Sequence, residues 1–268
     1  MQLASDGLPA MDVGAWAENK HYYLNRYCDM FAVGTSKKWP QRYYIDLFSG
    51  PGIGINRETG QESPGSPLIA LAHPFTNFVF VEANSESLDA LKVRTEPLLN
   101  GRHAEYILGD ANDVFSDIVR NVQQQGSLSL IFVDAYTIQL KMRTMQWFSD
   151  HFRTDLLIHF PYGTFLQRVI PQTQTEMTET TITELNEFFG GTEWQELRGR
   201  KPNPRVYLNL YEAKLRELGY MIGDNYPRMA NIKNATLYYL VLASKNELAL
   251  KFWKNTNEID PDGQRALF

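Results

Sequence analysis

Four acidic side chains each close a short apolar run. Asp46 follows Tyr43-Tyr44-Ile45, Glu82 follows Phe78-Val79-Phe80-Val81, Asp110 follows the run 104–108 and Gly109, and Asp134 follows Leu128–Val133. A carboxylate at the end of a buried strand is poorly solvated and needs hydrogen-bond donors, and a nucleoside supplies them. Asp46 and the turn Phe48-Ser49-Gly50-Pro51-Gly52 would approach the amino-acid part of such a ligand, with turn amides facing a carboxylate, because glycine lets a ligand reach bare backbone. An acid placed as Glu82 is accepts from both ribose hydroxyls. Asp110 would accept from an adenine N6 amine, and Ala111 would offer its backbone N–H to the ring. Asp134 falls where a reacting group would lie. One such acid is usually a solvated loop carboxylate; four in register at strand ends form the pattern of a site.

The elements that must position these acids alternate. Residues 1–14 carry no periodic pattern and read as a loose lead-in. Trp16, Tyr23, Tyr27, Met30 and Phe31 recur at helical spacing over 15–33. A first strand at 42–48 leads into a loop rich in Gly and Pro at 49–64, then a short helix, Pro67–Ala72, with Pro near its start. Further strands are predicted at 78–82, 104–108, 128–133 and 155–160, with helices at 85–96, 112–124 and 141–151 between them. Strand and helix in alternation specify a doubly wound, mostly parallel α/β sheet, with ligands at the carboxyl ends of its strands. Residues 171–203 are polar, with helical pieces at 182–189 and 193–197, and read as an insertion or lid within a single domain spanning 1–268. A helix at 205–218 precedes two strand-like runs, 220–226 and 235–243, which resemble an antiparallel pair closing a seven-stranded sheet; a helix at 246–255 follows. This order is similar to the class I methyltransferase architecture. It implies S-adenosylmethionine as cofactor, held by Asp46, Phe48, Ser49, Gly50, Pro51, Glu82, Asp110 and Ala111.

Composition narrows the reading. At 268 residues and 43% hydrophobic, the chain can bury a large core. A net charge of −5 means that any nucleic-acid contact must come from a local basic patch. The single cysteine, Cys28, excludes an intramolecular disulfide framework and a multi-cysteine metal site. No apolar stretch reaches membrane-spanning length and no basic segment followed by an apolar one opens the chain, so a soluble cytoplasmic protein with no membrane partner is expected.

Methyl transfer needs proximity, a nucleophile freed of its proton and a sheltered pocket. Asp134 is the candidate to orient or accept the proton, and His159, ending the fifth strand, is a candidate second base, against the alternative of a core histidine bonded to backbone. Tyr136 and Tyr162 are candidates for a stacking clamp on a planar base, against ordinary packing. Lys20 and His21 open a helix that would lie over the cofactor, although a solvated helix face is their more ordinary role. Methylation through a cysteine adduct is excluded, because Cys28 lies far from the fourth-strand loop. Arg198, Arg200, Lys201 and Arg205 put four positive charges into eight residues; phosphate contacts are the functional reading and a solubilising loop the plain one. Lys141 and Arg143 would extend that patch. The turn lacks the Gly-x-Gly-x-x-Gly spacing of a dinucleotide oxidoreductase.

The chain also resembles the three-Cys-motif partner family of class I methyltransferase-like proteins. The matching segments are NKHYYLNRY at 19–27, YIDLFSGPG at 44–52, GSPLIAL at 65–71, FVFVEAN at 78–84, GDAN at 109–112, IFVDAY at 131–136, LLIHFPYG at 156–163 and YYLVLASKNELALKFWK at 238–254. The resemblance implies an S-adenosylmethionine-type pocket and a separate protein partner carrying a three-cysteine motif. It departs at Asp134-Ala135-Tyr136, where the family usually has Asp-Pro; proline would fix the backbone of this loop and Ala135 does not. The expectation is a methyltransferase acting on nucleic acid at a base amine. The alternatives are a partner or effector protein that keeps the pocket without turnover, and an enzyme using S-adenosylmethionine on another substrate.

Overall fold

In the computed structural model, which describes residues 2–123, 125–172 and 177–264, the chain opens with two short strands, β1 (Gln2–Leu3) and β2 (Pro9–Val13), and helix α1 (Trp16–Gly34). Strand β3 (Gln41–Asp46) is followed by β4 (Ile53–Asn56), β5 (Glu62–Pro64) and α2 (Ser66–Leu71). Then come β6 (Asn77–Glu82), α3 (Ser85–Thr95), β7 (His103–Leu108), α4 (Phe115–Asn121), β8 (Ser127–Val133), α5 (Met142–His151) and β9 (Thr154–Phe160). A π-helical turn at Tyr162–Leu166 runs into α6 (Gln167–Val169), and α7 (Glu179–Phe189) and α8 (Pro204–Glu217) follow. The chain ends with β10 (Met221–Ile222), β11 (Arg228–Ala230), β12 (Thr236–Ser244) and α9 (Glu247–Thr256).

The main sheet runs β7-β6-β3-β8-β9-β12, and both β10 and β11 pair with the outer side of β12. Every pair from β7 to β9 is parallel, and β12 is antiparallel to β9. The central strands read as continuous apolar runs because helices cover both faces. Tyr43, Ile45, Val79, Val81, Ile131 and Val133 face the core shared with α4, α5, α7 and α8. Their neighbours Tyr44, Phe78, Phe80, Leu130 and Phe132 face α1, α2, α3 and α9. This is the expected doubly wound, mostly parallel α/β sheet, closed at one border by an antiparallel strand.

Four expectations are corrected. Residues 2–13 are not a loose lead-in, and 49–64 is not plain loop: together they form a second sheet, β1-β2-β4-β5, with β2 and β4 parallel. Arg94, its side chain buried, ties it down: Nε and Nη2 each donate to Asp6 at 2.8 Å, and Nη1 donates to the carbonyls of Pro9 (2.7 Å) and Pro51 (2.6 Å). The Arg94 hydrogen bonds hold the Asp6 carboxyl down to about 2. The outermost strand expected at 220–226 is broken into β10 and β11, because Pro227 between them has no N–H for the ladder. Helix α4 begins later than predicted, since Asp110–Val114 form a hydrogen-bonded turn first. Within the insertion expected at 171–203 lie α7 and a 3-10 turn at Glu193–Leu197; residues 173–176 fall outside the described residues. Among the described residues no helix is long and apolar enough to cross a membrane.

Candidate functional site

A cleft of about 880 Å³ opens at the carboxyl ends of β3, β6, β7 and β8. Phe48, Glu82, Asp110 and Ala111 line one side, and Thr183 and Glu187 of α7 line the other. Glu82 is set by two backbone amides: Gly50 donates to Oε2 at 2.8 Å and Asn84 to Oε1 at 2.9 Å. Gly50 does so at φ 60°, a conformation natural to glycine. Asn84 also caps α3 by accepting from the Ser87 amide. Each Glu82 oxygen keeps a further lone pair for a ligand hydroxyl.

Asp110 lies at the far end of the cleft. Its Oδ1 accepts from the backbone and side-chain nitrogens of Asn112 (2.7 and 2.9 Å). Asn112 also donates to the Gln139 carbonyl and accepts from the Lys141 amide and the Thr144 hydroxyl. One buried amide thus pins the 139–141 loop to the loop after β7. Asn112 was visible only as part of the GDAN segment; a short polar residue two places after a strand-end acid is its local signal.

The remaining predicted cofactor residues frame the turn without lining the cleft. Asp46 is fully buried and accepts from Tyr44 Oη (3.1 Å), the Phe48 amide (3.2 Å) and the Ser66 hydroxyl. Burial outweighs these donors and pushes its carboxyl up to about 7. Ser49 is buried, donating its amide to the Val81 carbonyl and its hydroxyl to that of Asp46. Pro51 presents its carbonyl to Arg94.

Asp134 sits beside the cleft wall that its own chain continues as Thr137–Gln139. Lys20 of α1 forms an ion pair with Oδ2, and His159 Nδ1 lies 3.1 Å from Oδ1. Burial alone would raise the Asp134 carboxyl, but the Lys20 ammonium and the His159 hydrogen bond hold it well below the usual carboxylate range. Burial pushes His159 below its ordinary value, with Asp134 opposing only in part, so the ring is neutral at pH 7. A neutral ring that donates from Nδ1 keeps a bare lone pair on Nε2. That Nε2 is buried and has no hydrogen-bond partner among the described residues. Tyr238 lies against the ring, tilted by 30°, with centroids 3.7 Å apart. His21, half-buried, is pushed down to about 3 by desolvation and by Lys20. His159 is therefore bonded to an acid rather than to backbone, and Lys20 is no solvated surface lysine. Nothing local in the sequence links positions 20 and 134.

The expected aromatic clamp does not form as a pair of free faces. Tyr136 is 66% exposed beside Asp134, whereas Tyr162 is buried and packed on Tyr207 and Tyr239 at 5.8 and 6.1 Å. The basic patch is also smaller than its charges suggest. Lys141 pairs with Glu187 and Arg143 with Asp113. Arg198 is half-buried against the Gln172 carbonyl, while Arg200 and Lys201 are exposed.

No family model matches the chain, and no curated protein matches it. Solved structures do. A Legionella pneumophila protein of the DUF519 family is 14% identical, with a TM-score of 0.49 over 91% of this chain and 92% of that one. The TYW2 protein of M. jannaschii, crystallised with AdoMet, is 10% identical, with a TM-score of 0.44 over 86% and 76%. Spermidine synthase from Thermotoga maritima is 11% identical, with a TM-score of 0.46 over 88% and 63%. These likenesses concern the fold and assign no residue a role.

Proposed function

We propose that the chain is an S-adenosylmethionine-dependent methyltransferase acting on nucleic acid at a base amine. The observation that carries the reading is the single cleft walled by the loops after four adjacent parallel strands, with Phe48, Glu82, Asp110 and Ala111 on its surface. Its volume suits a nucleoside-sized ligand, and carboxyl ends of strands are where doubly wound sheets bind ligands. Glu82 suits a ribose diol, since both of its oxygens are fixed by backbone amides and retain acceptor capacity. When bound, S-adenosylmethionine supplies a methyl group on a positively charged sulfur.

The chain's own residues do the rest. Asp134, held ionised by Lys20, accepts a hydrogen bond from the target N–H and aims the nitrogen lone pair. The depressed Asp134 is a weak base, so it orients the amine rather than removing a proton from it before reaction. His159, neutral and bonded through Nδ1 to Asp134 Oδ1, holds that carboxylate in place, and the proton that the nitrogen sheds after transfer leaves to solvent through the open cleft. Tyr136, exposed beside Asp134, stacks on the target base.

A second reading rests on the same loop. Lys20 already occupies one oxygen of Asp134 and His159 the other, and Ala135 leaves the loop without the stiffness of proline. A protein that binds the cofactor and works as the effector of a three-cysteine-motif partner fits these features and the sequence resemblance. Calorimetric titration with S-adenosylmethionine and with S-adenosylhomocysteine tests the pocket, and transfer of a labelled methyl group to single-stranded RNA and DNA tests the reaction. Micromolar binding followed by transfer is the expected result. Binding without transfer to either nucleic acid moves the conclusion to the effector reading, and no binding by folded protein refutes the pocket assignment.

A further inference from the structure

A second cavity, of about 400 Å³, lies among Tyr23, Arg205, Asp224, Tyr226, Tyr239 and Asn257. It opens at the outer side of β12, beside the bend between β10 and β11. Tyr23 is one helical turn beyond Lys20 on α1, and Tyr239 lies on the face of β12 opposite Tyr238. Three phenol rings give it stacking faces. Arg205, the last cation of the basic run 198–205, stands 5.0 Å over the Tyr226 ring and is 57% exposed, so an anion in solvent can approach it. Two acids face it. Glu212 is buried and is shared by Arg205, Arg216 and the Tyr226 hydroxyl; Asp224 is exposed.

Asn257 supplies the independent observation. It is 5% exposed, and its Nδ2 donates to the Trp253 carbonyl at 2.7 Å. Its Oδ1 is buried without a hydrogen-bond partner among the described residues. A buried acceptor left open on a cavity wall calls for an N–H donor. Aromatic faces, a half-exposed guanidinium and an unpaired acceptor together match the face, the phosphate and the amine of a nucleotide.

We propose that this groove binds a nucleotide flanking the target base in a single-stranded nucleic acid: the base stacks among Tyr23, Tyr226 and Tyr239, its amine meets Asn257 Oδ1, and its phosphate meets Arg205. The proposal rests on the nucleic-acid reading above and extends it to substrate recognition. Arg200 and Lys201, exposed just before α8, continue the phosphate track.

The test is fluorescence anisotropy with a short labelled single-stranded RNA of mixed sequence and its DNA counterpart. Wild-type protein binds at least one of them, and the preference between them reports whether a 2′-hydroxyl is read. Tyr226→Leu weakens binding about tenfold, in line with the loss of one stacked base. Arg205→Gln flattens the dependence of log affinity on log salt by about 0.7, the value for one single-strand phosphate. Tyr23→Leu serves as a second stacking variant that leaves Glu212 untouched. Calorimetric S-adenosylmethionine binding by each variant checks that the fold and the first cleft are intact. Wild-type protein that binds neither oligonucleotide overturns the proposal, as does equal binding by all three variants. Failure of S-adenosylmethionine to bind, with Tyr226-dependent oligonucleotide binding retained, refutes the methyltransferase reading and leaves the groove standing.

Discussion

Replacing Asp46 with Asn should invert the order of stability of the two proteins between acid and mildly alkaline pH. Asp46 is fully buried, and burial pushes its carboxyl from 3.8 up to about 7. A raised carboxyl makes the folded state hold a proton that the unfolded chain has released, so stability falls as pH rises through that window. The window runs from about pH 4 to about pH 7, and at 1.36 kcal/mol for each unit it amounts to about 4 kcal/mol. Asn does not titrate, but its amide nitrogen must face one of the three donors that Asp46 accepts from. That mismatch costs about 2 kcal/mol at every pH. Asp46→Asn should therefore be the less stable protein by about 2 kcal/mol at pH 4 and the more stable by a similar amount at pH 8. Asp155, pushed up to about 6 by burial, titrates in the same direction but is present in both proteins and cancels in the difference. Urea denaturation at half-unit steps of pH measures that difference directly. Parallel curves from pH 4 to pH 8 would refute the argument, because they would mean that Asp46 is ionised in the folded state throughout.

Glu82→Ala should abolish the calorimetric signal for S-adenosylmethionine, whereas Asp134→Ala should keep that signal and lose methyl transfer; full-strength binding by Glu82→Ala would place the cofactor elsewhere. Lys20→Met leaves Asp134 buried without its cation and should cost about 3 kcal/mol at pH 7 in urea denaturation. Because Lys20 holds the Asp134 carboxyl down, that cost should shrink below pH 4, as the acid protonates in the unfolded chain and in the variant. Arg94→Gln releases the contacts to Asp6, Pro9 and Pro51, and hydrogen exchange should accelerate at residues 2–13 and 53–56 while β3 and β8 stay protected.

Strands β3, β6, β8 and β9 were legible within a residue or two because both of their faces are covered, which writes an unbroken apolar run into the sequence. The second sheet was not legible. Gln2, Leu3 and Glu62 are exposed, its strands are short, and parallel pairing of β2 with β4 joins segments some forty residues apart through Arg94. The strand-end acids announced themselves by position, and Glu82, Asp110 and Ala111 do share a cleft wall with Phe48. Neighbours contributed by distant elements left no local trace: Lys20 on Asp134, α7 across the cleft, Asn257 on the second cavity. Tyr162 shows the opposite difficulty, since an aromatic residue after a strand reads the same whether it faces a ligand or, as here, Tyr207 and Tyr239.

The interrupted outer strand bears on how the protein behaves at high concentration. A long, flat sheet edge invites strands from other molecules and seeds aggregation. Here β12, nine residues long, is covered by pieces of two and three residues, with a register shift between Met229 and Ala230 and a proline just before the second piece. No stretch of that border is long enough to template a foreign strand. At the opposite border β7 carries His103 and Glu105, bonded to each other at 2.8 Å, where an incoming chain would have to bury them. A sheet this wide can thus stay monodisperse without closing into a barrel, and joining β10 to β11 by deleting the 223–227 bend would turn a quiet border into an adhesive one.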